Sequence, residues 1–245
     1  MKADIWIIAS ACLATATPAL AQNDQAADDR AAIIAAYDAI QSQKFDVAVS
    51  KADLVIQSFE DGKQSDSVYR CASGSGDVVS TLLGAALGVD KGGADEGKTT
   101  TVAVADDICS AYFVKGFALI DLGKRGEALP NLEMAVEMDP DNQHYLNELA
   151  EWYKAERDWQ KSLEIFTKAS ETSDLAIVLM EDKKQATEIS NATSCRAYRG
   201  IAFNHAEMRN WEKARSAIDK CLKLIPNDPR SQQELEYIKA QSGEK

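Results

Sequence analysis

The sequence predicts an all-α protein, an α-solenoid of helical hairpins with an irregular Gly-rich insertion and a C-terminal capping helix. Three observations carry this. Small residues return at fixed spacing: Ser162 follows Ala128 by 34 residues, and Ala214 follows after a further 52, which is 34 plus an insertion of 18. The neighbouring columns agree, Leu132, Phe166 and Ile218 forming one and Ala135, Ala169 and Cys221 another. Pro140 and Pro226 stand 86 residues apart, twice 34 plus the same 18. Units of this period cannot bury their apolar face alone, so they stack and create an extended surface of the kind that binds other molecules.

The elements follow in chain order. Lys2, an apolar run from Ile5 through Leu20 and the small-x-small site Ala19-Leu20-Ala21, followed by Gln22-Asn23-Asp24, form the pattern of a secretory signal cleaved after Ala21. The run is short for a membrane span and contains Thr17-Pro18, which suits a helix poorly. A lipid-anchored alternative would acylate Cys12, after Ala9-Ser10-Ala11, and is the one route to a membrane that the sequence offers. Residues 1–21 are thus read as a signal peptide, 22–30 as a disordered leader and 31–245 as one domain.

Within that domain, 28–60 is a degenerate repeat in which Phe45 and Ala48 match Trp159-x-x-Ser162 and Trp211-x-x-Ala214. Residues 62–107 are the irregular insertion: Ser65 to Leu87 reads as a helix interrupted by Gly74 and Gly76, and Asp90 to Lys98 as a flexible loop. The 80 residues from Ala48 to Ala128 equal two periods plus 12, room for a distorted repeat. Clear repeats occupy 109–142, 143–174 and 195–228, with the 18-residue insertion near Asp174 to Thr193 read as added helix. Residues 229–242, opening on Asp228-Pro229, form the capping helix.

The formal net charge is -12, and loss of residues 1–21 leaves it unchanged because Lys2 and Asp4 cancel. An acidic chain without a Lys/Arg block argues against nucleic-acid binding and against docking on anionic lipid. Of five cysteines, Cys12 leaves with the signal, and Cys71, Cys109, Cys195 and Cys221 remain. An even count in an exported protein favours disulfides, and four cysteines allow three connectivities. The preferred pairing is Cys71 with Cys109 and Cys195 with Cys221. The second pair lies on one hairpin and misses level register by about three residues, roughly 4.5 Å of rise. The competing reading of Cys221 is a small buried apolar residue, since Ala fills its column elsewhere.

On these residues the chain resembles the tetratricopeptide repeat family. The match is fullest at Tyr112-x-x-Lys115-Gly116-x-x-Leu119, Gly123, Ala128, Leu132, Ala135 and Asp139-Pro140. It continues through Leu149-Ala150-x-x-Tyr153, Trp159, Ser162, Phe166 and Ala169, and through Tyr198, Ile201-Ala202, Trp211, Ala214, Ile218, Cys221 and Pro226. Lys115, Asp174 and His205 depart from the usual Leu, Pro and aromatic residue. The resemblance implies that the first helix of each hairpin lines a concave face. The residues carried over onto it are Phe113, Phe117 and Ile120, then Asn147 and Glu151, then Arg196, Arg199 and Phe203. An apolar end and an Arg/Phe end on one groove suit an extended peptide or a partner helix. The alternative has Phe113, Phe117 and Ile120 packing against residues 62–107. The Lys and Asn cluster with which chaperone-tail-binding members hold a carboxylate is absent.

Chemistry finds little support. Gly92-Gly-Ala-Asp-Glu-Gly97-Lys98-Thr99 matches the phosphate-cradling pattern, which needs a strand before the loop and a helix after it. Asp95 and Glu96 would face the anion. His144 and His205 lack partners at ligand spacing, and no nucleophile or carboxylate pair stands out. The expectation is a non-enzymatic scaffold or adaptor in the bacterial periplasm that binds a protein or peptide, with no catalytic residues, metal, cofactor or small-molecule substrate. The alternatives are a lipid-anchored envelope assembly component and a nucleotide-binding protein using residues 92–99.

Overall fold

The computed structural model describes residues 19–72, 100–172 and 175–243, with the backbone alone at 19–24 and 175–176. In chain order the elements are α1 (Ala19–Gln41), α2 (Phe45–Gly62), β1 (Ser67–Ala72), β2 (Thr100–Ala105), α3 (Asp106–Asp121), α4 (Arg125–Met138), α5 (Gln143–Ala155), α6 (Trp159–Glu171), α7 (Leu175–Val178), α8 (Lys183–Glu207), α9 (Trp211–Leu224) and α10 (Pro229–Ser242). Four antiparallel hairpins, α1/α2, α3/α4, α5/α6 and α8/α9, stack through α2 on α3, α4 on α5 and α6 on α8, and α10 closes the array against α8 and α9. The fold is an all-α solenoid.

The repeat columns are the contact surfaces between helices. Ala48, Ala128, Ser162 and Ala214 show no exposed surface, and neither do Ala135, Ala169 and Cys221, because the paired backbones approach where these residues stand. Between them Leu132, Phe166 and Ile218 fill the core. Gly200 permits the tightest of these approaches: a Cβ there would lie 2.3 Å from the Phe166 ring.

One turn joins every hairpin. Gln43, Gly123, Arg157 and Arg209 occupy equivalent repeat positions and all have positive φ, from 56° to 74°. The following amide reaches back five residues in each: Lys44 to Ala39, Lys124 to Leu119, Asp158 to Tyr153 and Asn210 to His205, at 2.7–3.0 Å. This left-handed termination satisfies the last carbonyls of the first helix and sets the angle at which the second departs. Three of the four turns hold a residue with a Cβ, at a conformational cost of roughly 1 kcal/mol each.

Several expectations are corrected. Residues 22–30 are not a disordered leader but part of α1. Ala26 and Ala27 favour helix, Gln25 donates to Asp29 one turn on, and Arg30 reaches Asp107 in the first turn of α3 at 3.3 Å. No distorted repeat separates the first hairpin from the second among the described residues, since α2 packs directly on α3. The start of the expected Ser65–Leu87 helix is a strand: β1 pairs in parallel with β2, Ser67 opposite Thr100 and Ala72 opposite Ala105. Val68, Thr100, Thr101, Val102 and Val104 supply the β-branched character that favours this pair. The Gly92–Thr99 loop lies outside the described residues, but the element after it is strand β2, where a phosphate loop requires a helix.

The 18-residue insertion becomes the short α7 and an N-terminal extension of α8, which runs to 25 residues where α5 has 13. Both expected disulfides are present. Cys71–Cys109 ties β1 to α3 with Cα atoms 6.2 Å apart, and Cys195–Cys221 ties α8 to α9 with Cα atoms 4.5 Å apart. Among the described residues no helix is long and apolar enough to cross a membrane.

Candidate concave interaction site

Helices α5, α8 and α10 converge on a cavity of about 270 Å³ lined by Glu151, Lys154, Arg196, Arg199, Gly200, Phe203, Arg230, Gln233 and Glu234. Local sequence fixes each wall. Asn142 caps α5 by accepting from His144 and Tyr145, Asp182 caps α8 through Lys184 and Gln185, and Asp228 caps α10 through Ser231, with Pro229 in the first turn. On α5 and α8 the lining residues recur every three or four positions, the period that keeps side chains on one helical face.

Ion pairs join the walls. Arg196 donates to Glu148 across α8 and α5 at 2.8 Å, and Arg199 donates to Asp228 at 2.9 Å, fastening α10 to α8. Lys154 pairs with Glu151 one turn back and places its ammonium 5.2 Å from the centroid of the Phe203 ring. That ring stacks on Tyr237 at 5.9 Å and meets Trp159 edge-on, also at 5.9 Å. The cavity thus has a charged wall and an aromatic floor.

Two carboxyls, Glu234 in the lining and Asp228 behind it, are shifted in opposite directions. Burial raises Glu234, with the Glu151 and Glu207 charges adding to the shift while Lys154 and Arg199 oppose it. Burial acts the same way on Asp228, but hydrogen bonds from the hydroxyl and amide of Ser231, together with Arg199, more than offset it and hold its pKa below the usual value. One oxygen of Glu234 is buried without a hydrogen-bond partner among the described residues.

The expected lining residues divide. Glu151, Arg196, Arg199 and Phe203 come together in this cavity. Phe113 does not line a groove. It is 4% exposed and sits in the joint with the next hairpin, stacked on Tyr145 at 4.9 Å and against His144 at 4.7 Å, with Phe117 at 6.3 Å. Phe117 and Ile120 are half-buried against the same core. Asn147 is also corrected. It is wholly buried and donates to the carbonyls of Gln143 and Thr193, because the N-terminal extension of α8 covers it. Lys154, Arg230, Gln233 and Glu234 were not singled out from sequence. Lys154 stands one turn from Glu151 and could have been found by helical spacing; the other three lie on the capping helix, whose polarity reads equally well as a solvated face.

Cys195, Cys221 and Asp228 bring possible ligand atoms within 4.8 Å of one another. The two sulfurs are joined as a disulfide and Arg199 holds Asp228, so the cluster binds α8, α9 and α10 together and presents no thiolates to a metal.

Residues 110–142 match the tetratricopeptide repeat family. Among solved structures the chain is similar to one described as "Functional Characterization of Pseudomonas Aeruginosa pilF", with a TM-score of 0.55 and 12% identity over 90% of this chain and 71% of that one. No curated protein matches the chain.

Proposed function

We propose, for a chain that carries tetratricopeptide repeats and is built as a protein–protein interaction scaffold, that it works as a periplasmic adaptor holding a peptide or partner helix across α5, α8 and α10. The observation that carries this reading is the convergence of Glu151, Arg196, Arg199 and Phe203, from two different repeats, on one cavity. A scaffold needs such a recess to fix the register of an otherwise featureless peptide.

Export is supported by the pattern Lys2, Ile5 to Leu20, Ala19-Leu20-Ala21, and by two disulfides, which persist in oxidising compartments. Cleavage after Ala21 would remove only the first residues of α1 and leave Arg30 on Asp107.

The test is photo-crosslinking in the native envelope with a crosslinker at Gln233, followed by capture and mass spectrometry. A discrete crosslinked partner is expected. It should be lost on substituting Arg196, Arg199 and Phe203 together, in a variant whose circular dichroism and melting remain cooperative. Equal crosslinking by that variant would move the partner to another face. An intact mass starting at Gln22, with both disulfides closed, is the result expected of the exported protein.

A further inference from the structure

We infer that the cavity between α5, α8 and α10 receives an acidic side chain, an aspartate or glutamate within a partner's chain, with an adjoining apolar side chain laid on Phe203. The inference rests on the scaffold reading and names the chemistry of what the scaffold holds.

Charge is the first argument. The cavity wall carries Lys154, Arg196, Arg199 and Arg230 against Glu151 and Glu234, four cations to two carboxylates, in a chain whose net charge is -12. Glu148 and Asp228, which pair with Arg196 and Arg199 from outside the lining, bring the site to four cations against four carboxylates, so it lacks the negative excess of the rest of the chain. Unused donors are the second argument. Arg196 engages Glu148 through one nitrogen and Arg199 engages Asp228 through one, while a guanidinium has five N–H groups. Exposed Arg230 has no acidic partner among the described residues, although its neighbours on the wall are paired.

Of the carboxylates in the wall, Glu151 is already paired with Lys154, and burial makes the charge on Glu234 costly, so Glu234 is the one group there that weakens an acidic guest. A cationic guest would instead meet Arg230, whose charge no carboxylate among the described residues offsets. A polyanion such as nucleic acid would be repelled by the acidic surface outside the cavity, whereas one carboxylate on a peptide need not be. A recess of about 270 Å³ takes one or two side chains. Phe203, held between Trp159 and Tyr237, provides the apolar contact beside the charge.

The experiment uses the exported, oxidised protein and three peptide libraries, acetylated and C-terminally amidated, each randomised except at a central residue fixed as Glu, Gln or Lys. The Glu library should be retained about tenfold better than the Gln library, as expected of a charge-assisted hydrogen bond. The Lys library should not be retained. Because Arg230 is exposed and unpaired, R230E should fold normally and reverse the preference from Glu to Lys, which a merely structural role would not do. E234Q should strengthen retention of the Glu library. Equal retention of Glu and Gln, retention of none of the three, or weakened retention with E234Q would overturn the inference. If the envelope crosslink persists while these preferences are absent, the scaffold reading stands and this one falls.

Discussion

At the α3 end of the first-helix face the molecule is closed on itself, and at the α10 end it is open. Equivalent repeat positions make the comparison sharp: Phe113, Asn147 and Arg199 share one column, and Phe117, Glu151 and Phe203 share another. Phe113 is roofed by Tyr145 of the following hairpin, and Asn147 by the extension of α8, whereas Arg199 meets a single capping helix that leaves space beside it. A repeat position therefore does not decide whether its side chain is offered to a partner. What decides is the size and length of the next element along the array.

The largest test of that contrast is Phe166 of α6, wholly buried and against Gly200 of α8. F166A should cost about 3–5 kcal/mol in chemical denaturation, through lost burial and the cavity left behind. Its companion G200A should cost about 1–3 kcal/mol, because α8 must move off the Phe166 ring. If the ends are independent, G200A should disturb fluorescence near Trp159 while leaving the packing around Phe113 unchanged.

Removing Cys195–Cys221 should cost about 3 kcal/mol on the chain-entropy view of a cross-link spanning 26 residues. Hydrogen exchange should then rise in α9 and α10 and not in α3. The same exchange in both regions would mean that the array unfolds as one unit.

N147A removes a buried amide and takes from the Thr193 carbonyl its side-chain donor, a loss of about 1–3 kcal/mol. Since Asn147 is covered, partner binding should be unchanged once stability is allowed for. A selective binding defect would show that the roof opens.

Acid should act on the open end. The pKa of Asp228 is depressed in the folded state, so its contribution is fully present above the unfolded pKa and is lost as pH falls through the folded one. Docking of α10, followed by exchange, should weaken below the ordinary carboxylate range, and D228N should remove that dependence.

The smallest effect is expected from E234Q. The raised pKa of Glu234 means that its ionised form costs stability, and the cost is relieved as pH falls from the folded value to the unfolded one. E234Q should therefore melt slightly higher at neutral pH and coincide with the parent in mild acid.

The sequence makes the array legible because close helix approach imposes a size limit at fixed intervals, and Ala128, Ser162 and Ala214 obey it visibly. The Cys195–Cys221 pair follows from the same hairpin logic, whereas Cys71 stands on strand β1, outside any hairpin. The site is only half legible. Glu151, Arg196, Arg199 and Phe203 could be carried over by column, but Arg230 and Glu234 stand on a helix outside the repeat pattern. Asn147 misleads because its roof, Thr193, comes from an insertion with no counterpart in the other units. Strand β1 was hidden by its brevity: six residues with a Cys and an Ala carry too weak an alternation to outweigh a helical reading.

The four identical turns have a consequence for how this molecule could change. With Gln43, Gly123, Arg157 and Arg209 all resetting the backbone in the same way, one hairpin is geometrically interchangeable with another, and duplication or deletion of a whole unit would preserve the phase of every helix that follows. The array can thus grow in quanta of one hairpin between α4 and α5 without touching the α5, α8 and α10 walls of the cavity. Its length is free to drift while its recognition end stays fixed.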